Sequence, residues 1–264
     1  MRQSLDVKRG NPVRAPESAT SRSSTDGMRG NGNQQSAERN RLIRLLPAEE
    51  YAWLQPHFKT VNLNVGDLLA DEDEPFRHVY FMETGVASVV NRVSGGTVEV
   101  GTIGNEGMAG LAVFLDGGIA ASRTFIQVPG DAKRVPADVF AAGIDSRPHL
   151  RRILNRYTQA FITLVSQTAA CNSAHQLEER CARWLLMTHD RVDGADTFPL
   201  THEFLSFMLG VRRAGVTVAA GMLQKAGFIT YKRGKITVLD RAGLESASCE
   251  CYGIVKSHFD RLLG

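Results

Sequence analysis

The chain has 264 residues, of which 43% are hydrophobic and 22% are charged, with a net charge of +3. These proportions are typical of globular proteins and leave room for one large domain or two ordinary ones. No apolar run reaches the ~18–20 residues that a membrane-spanning helix needs. Four cysteines without a regular staple pattern suit a reducing compartment. Membrane, fibrous and disulfide-stabilised proteins are therefore disfavoured, and we expect a cytoplasmic protein.

Residues 1–38 are rich in Ser, Arg, Gly, Asn and Gln, and the first aromatic residue of the chain is Tyr51. Because these residues have few apolar groups to bury, burial cannot offset the conformational entropy lost on ordering, and the sequence predicts a disordered tail. This tail is either a basic arm that touches DNA or a passive leader. If Met28 is the natural start, most of it falls away.

The stretch from about residue 58 to 138 consists of short β-rich runs separated by glycine turns. A short helical segment, from Arg41 to His57, precedes it. Many short strands at this spacing predict a barrel or a sandwich. The predicted strands are VNLNV, HVYFM, VASVVNRV, TVEVGTI, RTFIQV and AKRVP.

A long helix is predicted next, capped by Asp145 and Ser146 and with Pro148 in its first turn. Its apolar residues follow each other at alternating spacings of four and three. Such a seam predicts a partner helix, most simply a second copy in a dimer. The alternative is that the helix packs on its own barrel. The seam consists of Leu150, Leu154, Tyr157, Phe161, Leu164, Thr168 and Cys171.

A second helix, from Leu177 to the loop at residues 193–194, leads into a helix, a tight turn at Gly210, a further helix from about Arg212 to Lys225, and two short strands. This order predicts a winged helix-turn-helix. Between Phe204 and Leu239 there is no acidic residue but there are six basic ones. Such a local excess of positive charge attracts polyanions through counterion release.

The predicted second helix of the motif has small and basic residues on its outer side, which suits a major groove. Arg213 is expected to pair with guanine, and Ala214, Thr217 and Val218 to touch thymine methyl groups. Thr201 and the amides of the first helix are placed for a phosphate. The candidate DNA-binding residues are Thr201, Arg212, Arg213, Ala214, Thr217, Val218, Lys232, Arg233 and Lys235.

The stretch LTHEFLSFMLGVRRAGVTVAAGMLQKAGFI is similar to the DNA-reading segment of the Crp/Fnr-family transcription regulators. The resemblance implies an α+β protein with a jelly-roll-like β-roll sensor domain, a long dimerisation helix and a winged helix-turn-helix DNA-binding domain. It also implies a homodimer that binds a two-fold-symmetric operator and alters RNA polymerase recruitment. Arg213 matches the family's base-reading arginine. At Ala214 and Val218 the best-known members carry a glutamate and a second arginine, so we expect a different operator.

The resemblance divides the chain into five parts. They are a disordered tail (1–38), a cyclic-nucleotide-binding-like β-roll (39–145), a dimerisation helix (146–173), the winged helix-turn-helix (174–253) and a C-terminal helical tail (254–264).

The match at the family's effector site is weaker. Gly110 and Leu111 stand where cyclic-nucleotide-binding members have a Gly-Glu pair, and Arg123 and Thr124 resemble their Arg-Ser pair. Matching Gly104-Asn105-Glu106 instead supplies an acid but disrupts the strand phase. The alternation in TFIQV suggests a register one residue off, which would turn Arg123 to solvent. Ser166 matches a position that touches a purine in the family. We expect a β-roll with another effector or none, rather than cAMP or cGMP.

No metal site and no enzyme are predicted. Residues 1–50 lack the cysteines that hold an iron–sulfur cluster in oxygen-sensing members, and Cys249 and Cys251 are two ligands short of a tetrahedral site unless folding adds His175 or His258. Cys171 is either a redox contact to its dimer mate or, preferably, a small core residue. No nucleophile, phosphate-binding or paired-carboxylate motif is present. The alternative function is a cyclic-nucleotide-binding module that acts through protein–protein contacts.

Overall fold

The computed structural model describes residues 35–94, 96–192 and 194–264. Most of the predicted N-terminal tail, residues 1–34, lies outside the described residues. The rest of that tail is packed: Gln35 Nε2 donates to the carbonyls of Ile43 and Leu46, at 3.1 and 2.6 Å. Glu38 is buried beside Tyr51, whose hydroxyl donates to it at 3.1 Å. The boundary predicted at residue 38 is therefore wrong, because the chain is already folded from residue 35.

The sensor part begins with two short helices and continues as a two-sheet β-roll. Helices α1 (Arg41–Arg44) and α2 (Ala48–Leu54) lead through a 3₁₀ turn, Gln55–His57, into the strands. The strands are β1 (Lys59–Leu63), β2 (Leu68–Ala70), β3 (His78–Met82), β4 (Val86–Val93), β5 (Gly96–Ile103), β6 (Met108–Ala109), β7 (Arg123–Val128) and β8 (Gly130–Pro136). Helix α3 (Leu111–Phe114) follows β6, and helix α4 (Ala137–Ile144) follows β8.

Both sheets of the roll are antiparallel. The first has the strand order β1-β8-β3-β6 and the second β2-β7-β4-β5, with β7 and β8 linking the two. Gly85 precedes β4 with φ +75°, and a Cβ atom there would lie 2.6 Å from the carbonyl oxygen of Val128. Only glycine fits such an approach, so this turn fixes how β4 starts against the β7–β8 connection.

Helix α5 (Pro148–Ala174) packs along the roll, and this corrects the predicted dimer seam. Tyr157 is buried and donates its hydroxyl hydrogen to the carbonyl of Met108 at 3.0 Å. Because these side chains are covered by their own chain, the alternative that the helix packs on its own barrel describes them better. The seam residues that the structure buries are Leu150, Leu154, Tyr157, Leu164 and Cys171, while Phe161 and Thr168 are half-buried.

The winged unit follows the long helix directly. Its elements are α6 (Leu177–His189), β9 (Thr197–Pro199), α7 (His202–Leu209), α8 (Arg213–Lys225), β10 (Ile229–Lys232), β11 (Lys235–Val238) and α9 (Arg241–Ser246). Gln176 and Glu179 form a capping box at the start of α6, and Thr201 caps α7 through Phe204 N at 3.1 Å. Gly210, at φ +64°, ends α7 in the left-handed conformation that a tight turn needs.

The C-terminal helix α10 (Cys251–Leu263) is part of the core rather than a tail. It runs along α5 and buries one face, with Tyr252, Val255, Phe259 and Leu263 inside. The predicted division at residue 254 is therefore wrong, because the helix begins at Cys251 and its apolar positions pack on both sides of that boundary. No helix in the described ranges is long and apolar enough to cross a bilayer.

The winged unit docks on the outer face of the second sheet. The rings of Phe204 on α7 and Phe125 on β7 meet edge to face at 6.1 Å, and Met208 Sδ lies 3.6 Å from the hydroxyl of Ser88. Gly210 stands where an added Cβ would be 3.3 Å from the side chain of Val98. The position of the winged unit relative to the sensor is thus fixed by packing against β4, β5 and β7.

A buried carboxyl group lies at the same junction. Glu99 on β5 accepts hydrogen bonds from Trp184 Nε1 at 2.7 Å and faces the hydroxyl of Ser88 at 2.7 Å. That hydroxyl is also 2.5 Å from Gln127 Oε1, and Gln127 Nε2 donates to Thr188 at 3.5 Å. One hydroxyl hydrogen serves only one acceptor. If Glu99 is protonated, it donates to Ser88 and Ser88 donates to Gln127; if Glu99 is ionised, Ser88 donates to only one of the two at a time. Three sensor strands (β4, β5 and β7) and α6 are joined through this network.

Burial raises the pKa of the Glu99 carboxyl to about 7, although the hydrogen bonds from Ser88 and Trp184 and the nearby Arg191 and Arg183 favour its ionised form. The ordinary value is near 4.5. The folded protein therefore binds more protons than the unfolded chain between these two pH values. The contribution of Glu99 to the free energy of unfolding is fully present below pH 4.5 and is lost as the pH rises to about 7.

We expect Glu99→Gln to remove this pH dependence, because an amide keeps an acceptor for Trp184 and a donor for Ser88 but does not titrate. Urea denaturation from pH 5 to 8 should show the variant gaining up to about 3 kcal/mol relative to the parent as the pH rises. The control is Glu74→Gln at an exposed carboxylate. A parent and a Glu99→Gln variant with parallel pH profiles would contradict the assignment.

Candidate nucleic-acid interface

Helix α8 has one buried side and one exposed side. Val216, Ala219, Ala220 and Leu223 are buried against the rest of the winged unit. The opposite side is exposed, and the side chain of Val218 is 61% exposed. Five residues of the predicted reading surface lie on this side or at the start of the helix: Arg212, Arg213, Ala214, Thr217 and Val218.

The start of α7 is tied to this exposed side. His202 Nδ1 lies 3.2 Å from the hydroxyl of Thr217, which donates to the carbonyl of Arg213 at 3.1 Å. The His202 ring also stacks on Tyr231 of β10, with ring centroids 4.1 Å apart. Burial and the charge of Arg213 lower the pKa of His202 below its ordinary value, which favours the neutral ring. Since the Thr217 hydroxyl is engaged within the protein, its methyl group is the part left free for a base.

The wing tip lies beside the same surface. Lys232 pairs with Lys235 across the hairpin, and Arg233 and Gly234 form its two-residue turn with φ values of 51° and 75°. Positive φ at both positions is the geometry of a type I′ turn, in which arginine is unusual at the first position. An added Cβ at Gly234 would lie 3.8 Å from the methyl group of Thr201, so the tip is next to the cap of α7.

The predicted DNA-binding residues are therefore brought together on one side of the winged unit. Lys232, Arg233 and Lys235 are exposed, as is Thr201. Among the described residues, the basic side chains of this surface make no ion pair with a carboxylate, so their charge is not neutralised within the chain. The sequence analysis did not identify His202 and Tyr231, which connect α7, α8 and the wing hairpin. The sign of this contact in the sequence was the histidine directly after the Thr201 cap.

The roll encloses a small cavity of about 150 Å³ that receives some of the predicted effector residues and not others. Gly110, Leu111 and Thr124 line it, together with apolar side chains such as Tyr157 and Phe161. Gly110 adopts φ +102° at the start of α3. None of the residues that line this cavity carries a charged side chain.

Arg123 points away from that cavity. Its guanidinium makes two hydrogen bonds to the carboxylate of Asp71, at 2.9 and 2.6 Å, on the outer side of β7. The hydrogen bond from Arg123 lowers the pKa of Asp71 to about 2. This placement agrees with the register that the alternation in TFIQV suggests, one residue off, since successive residues of a strand face opposite sides. Ser166 is exposed on α5 and does not line the cavity.

Glu106, the alternative candidate for the acid of the effector site, makes its contacts outside the cavity. It is buried, accepts from the backbone N–H of Gly104 at 3.1 Å and pairs with Arg191, just after the end of α6, at 2.9 Å. Arg191 also donates to the carbonyl of Met187 at 2.6 Å. Glu106 therefore binds the sensor to α6 and is not placed to hold a ribose in the cavity.

Folding brings two further candidate ligands to the C-x-C pair: His175, which the sequence left open, and Cys171, which it did not suggest; His258 is not among them. Folding places Cys171 of α5 and His175, the residue that follows α5, beside Cys249 and Cys251, with all four ligand atoms within 4.8 Å of one another. Cys171 Sγ is 3.5 Å from Cys249 Sγ, and Cys251 Sγ is 3.6 Å from His175 Nδ1. Cys171 thus meets cysteines of its own chain and is not free to meet a dimer mate. The missed signal was Cys171 in the last turn of the long helix with His175 just beyond the helix end.

Comparison with known proteins agrees with this architecture. The family model of the Crp-like helix-turn-helix domain matches residues 179–247. No curated protein matches the chain. A regulator of the Crp/Fnr family from Eubacterium rectale is 18% identical over 78% of this chain and 96% of its own, with a TM-score of 0.61.

Two other solved structures are similar to the same extent. FixK2 from Bradyrhizobium japonicum is 17% identical over 73% of this chain and 98% of its own, with a TM-score of 0.62. A regulatory protein from Silicibacter pomeroyi, described as cAMP-binding, is 19% identical over 81% of this chain and 98% of its own, with a TM-score of 0.55. The predicted resemblance is confirmed: the chain has the α+β architecture of the Crp/Fnr-family transcription regulators, with a Crp-like helix-turn-helix domain.

Proposed function

We propose that this protein is a sequence-specific DNA-binding transcription regulator of the Crp/Fnr type, a homodimer on a two-fold-symmetric operator. The observation that carries the proposal is the single exposed basic surface formed by α8, the start of α7 and the wing tip. No acidic residue occurs between Phe204 and Leu239. A surface of this charge gains affinity for duplex DNA by releasing counterions.

The residues of this surface divide into two roles. Arg213, at the first turn of α8, pairs with guanine in the major groove, while Ala214, Val218 and the methyl group of Thr217 contact thymine methyl groups. Arg212, Thr201 and the wing residues contact phosphates and set the register of the helix in the groove. The wing residues are Lys232, Arg233 and Lys235.

The dimer forms through the side of α5 that the chain itself leaves uncovered. Ile162 is 59% exposed, and Ala169, two helical turns further on, is also exposed. Ser166 lies between them, where a partner helix would cover it. This face replaces the seam predicted from the sequence, and a two-fold axis along it brings two winged units to one side of the dimer, as a symmetric operator requires.

The sensor biases the winged units through the docking of α6 and α7 on the second sheet. An effector or another change at the roll shifts the equilibrium between DNA-competent and incompetent arrangements, by as much as its affinity differs between them. The proposed action is cytoplasmic, through RNA polymerase recruitment, and includes no enzymatic step.

A cyclic nucleotide is not the proposed effector. The described residues that line the cavity of the roll include no cation to neutralise a cyclic phosphate, and Arg123 is held outside it by Asp71. A buried charge without a partner is costly, so an anionic ligand is disfavoured there. This observation also counts against the alternative of a cyclic-nucleotide-binding module that acts through protein contacts.

Replacing Arg213 by Ala is expected to weaken binding to the cognate operator by about 1–3 kcal/mol, because a bidentate contact to guanine is lost, and to relax specificity at that base pair. The operator comes from selection of bound duplexes from random DNA. Affinities are then measured by fluorescence anisotropy across a salt series. Lys232→Ala should instead weaken all sequences alike and reduce the salt slope by about one.

The matched control is Arg44→Ala, which removes one exposed arginine from α1, far from the winged unit in the chain. It is expected to leave operator affinity and salt slope unchanged. A selection that enriches no motif, or an Arg213→Ala variant that binds like the parent, would overturn the proposed function.

Ile162→Glu is expected to destabilise the dimer, since it places two like charges at the two-fold axis. The dissociation constant should rise by about a hundredfold or more, because the apolar burial of two side chains is lost. Analytical ultracentrifugation measures the change. The control is Arg156→Glu, an exposed position on the same helix about 120° away. If both variants remain dimers, the interface lies elsewhere.

Titration of the protein with cAMP or cGMP is expected to give no heat of binding and no shift in melting temperature. The reason is the uncharged lining of the cavity, which leaves the cyclic phosphate unpaired. A saturable calorimetric signal that survives Arg123→Ala but is lost in Thr124→Ala would place a nucleotide in the cavity and contradict this expectation.

A further inference from the structure

The cysteine–histidine cluster has the spacing of a tetrahedral metal site. Zinc–sulfur and zinc–nitrogen bonds of about 2.3 and 2.0 Å place tetrahedral ligands about 3.7 Å apart for two sulfurs and about 3.5 Å apart for sulfur and nitrogen. The observed separations are 3.5 Å for Cys171 and Cys249 and 3.6 Å for Cys251 and His175. Three thiol groups and one imidazole are a common ligand set of structural zinc.

The histidine is oriented as a metal ligand would be. His175 Nε2 lies 3.2 Å from Glu250 Oε1, so the ring donates this N–H to a carboxylate and leaves the Nδ1 lone pair directed toward Cys251. Ligating histidines are usually held in this way by a second group. Gln167 Nε2 donates to Cys251 Sγ at 3.1 Å, a bond that favours a thiolate. Neither contact is needed for a cluster of neutral thiols.

The surroundings of the cluster supply the opposite charge. Arg183 and Arg180 of α6 interact electrostatically with Cys171. Arg183 is 5% exposed, its Nε has no hydrogen-bond partner among the described residues, and it makes no ion pair there. A buried guanidinium is costly unless opposite charge lies near it. Apart from a hydrogen bond from Nη2 to Thr168 at 2.9 Å, Arg183 interacts electrostatically with the carboxyl of Glu99 and with Cys171. Three thiolates, a neutral imidazole and a divalent ion together carry one negative charge, which offsets the charge of the guanidinium.

We propose that Cys171, His175, Cys249 and Cys251 bind one divalent, thiol-seeking ion, zinc in the first place. Binding is not a redox step: each cysteine gives up its proton to solvent and its sulfur becomes a ligand of the ion. An iron–sulfur cluster would place several irons and sulfides between the thiolates and so separate them further. The spacing in the structure fits a single ion.

The site has a clear place in the fold. Cys171 and His175 are at the end of α5, immediately before the winged unit, while Cys249 lies between α9 and α10 and Cys251 is the first residue of α10. The ion therefore joins the two chain ends of the winged unit and anchors them to α5. Cys171 and Cys249 are 78 positions apart, and closing a loop of this length with a metal ion stabilises the folded state by restricting the unfolded chain.

The test is the metal content of the full-length protein, purified under reducing conditions and measured by plasma mass spectrometry. One zinc per chain is expected, falling below one-tenth in Cys249→Ser and in His175→Ala. The matched control is Cys181→Ala, which removes a buried cysteine outside the cluster and should keep the full content. Binding of Co²⁺ to metal-free protein should give the absorption bands of tetrahedral cobalt with thiolate ligands.

A conservative variant distinguishes the loss of a metal site from a failure to fold. Glu250 is exposed, so Glu250→Gln should fold normally but weaken zinc affinity 10–100-fold in a chelator competition, because the second group that orients His175 is altered. The proposal is overturned by protein that takes up neither zinc nor cobalt, by iron with acid-labile sulfide at the site, or by a Cys171–Cys249 disulfide in place of metal. It is also overturned if Glu250→Gln binds zinc like the parent.

Discussion

The arrangement of this protein depends on a buried carboxyl group at the junction of its two functional parts. Glu99 accepts the indole N–H of Trp184 from a sheet of the sensor, and Trp184 belongs to the first helix of the winged unit. Removing a carboxyl group from water is unfavourable unless its hydrogen bonds are satisfied, so this contact specifies one docking geometry rather than a range of them. The aromatic contact of Phe204 with Phe125 adds apolar burial beside it.

This junction gives the sensor a short route to the reading helix. On β7, Thr124 lines the inner cavity while Phe125, the next residue, packs on α7. Because successive side chains of a strand face opposite sides, one strand carries both the wall of the cavity and the surface on which the winged unit rests. A shift of β7 caused by an occupant of the cavity would therefore act directly on α7, and through the His202–Thr217 contact on α8.

The sequence predicted best those features that depend on local order. The helix–turn–helix–hairpin segment follows from spacing, from the Gly210 turn and from the Thr201 cap, and all three lie within forty residues. The outward direction of Arg123 followed from strand alternation alone. What failed was the assignment of partners: the spacing of Leu150, Leu154 and Tyr157 indicates a covered face but not what covers it. Here the roll and α10 cover it, and no local pattern in residues 251–263 shows that this helix returns to α5.

The cysteine cluster could not be predicted for the same reason, because its members come from distant parts of the sequence. Cys171 and Cys249 are separated by 78 positions, and only the return of α10 to the end of α5 brings them together. That return also holds the winged unit in a second region: its helices contact the sensor around the Glu99 network, and the cluster lies at both of its chain ends. A unit held at one point can swing, whereas a unit held at two points rotates only about the line that joins them. Any transition between DNA-competent and incompetent states must then break one attachment or turn about both, and the free energy of either attachment sets how strong an effector must be to drive it.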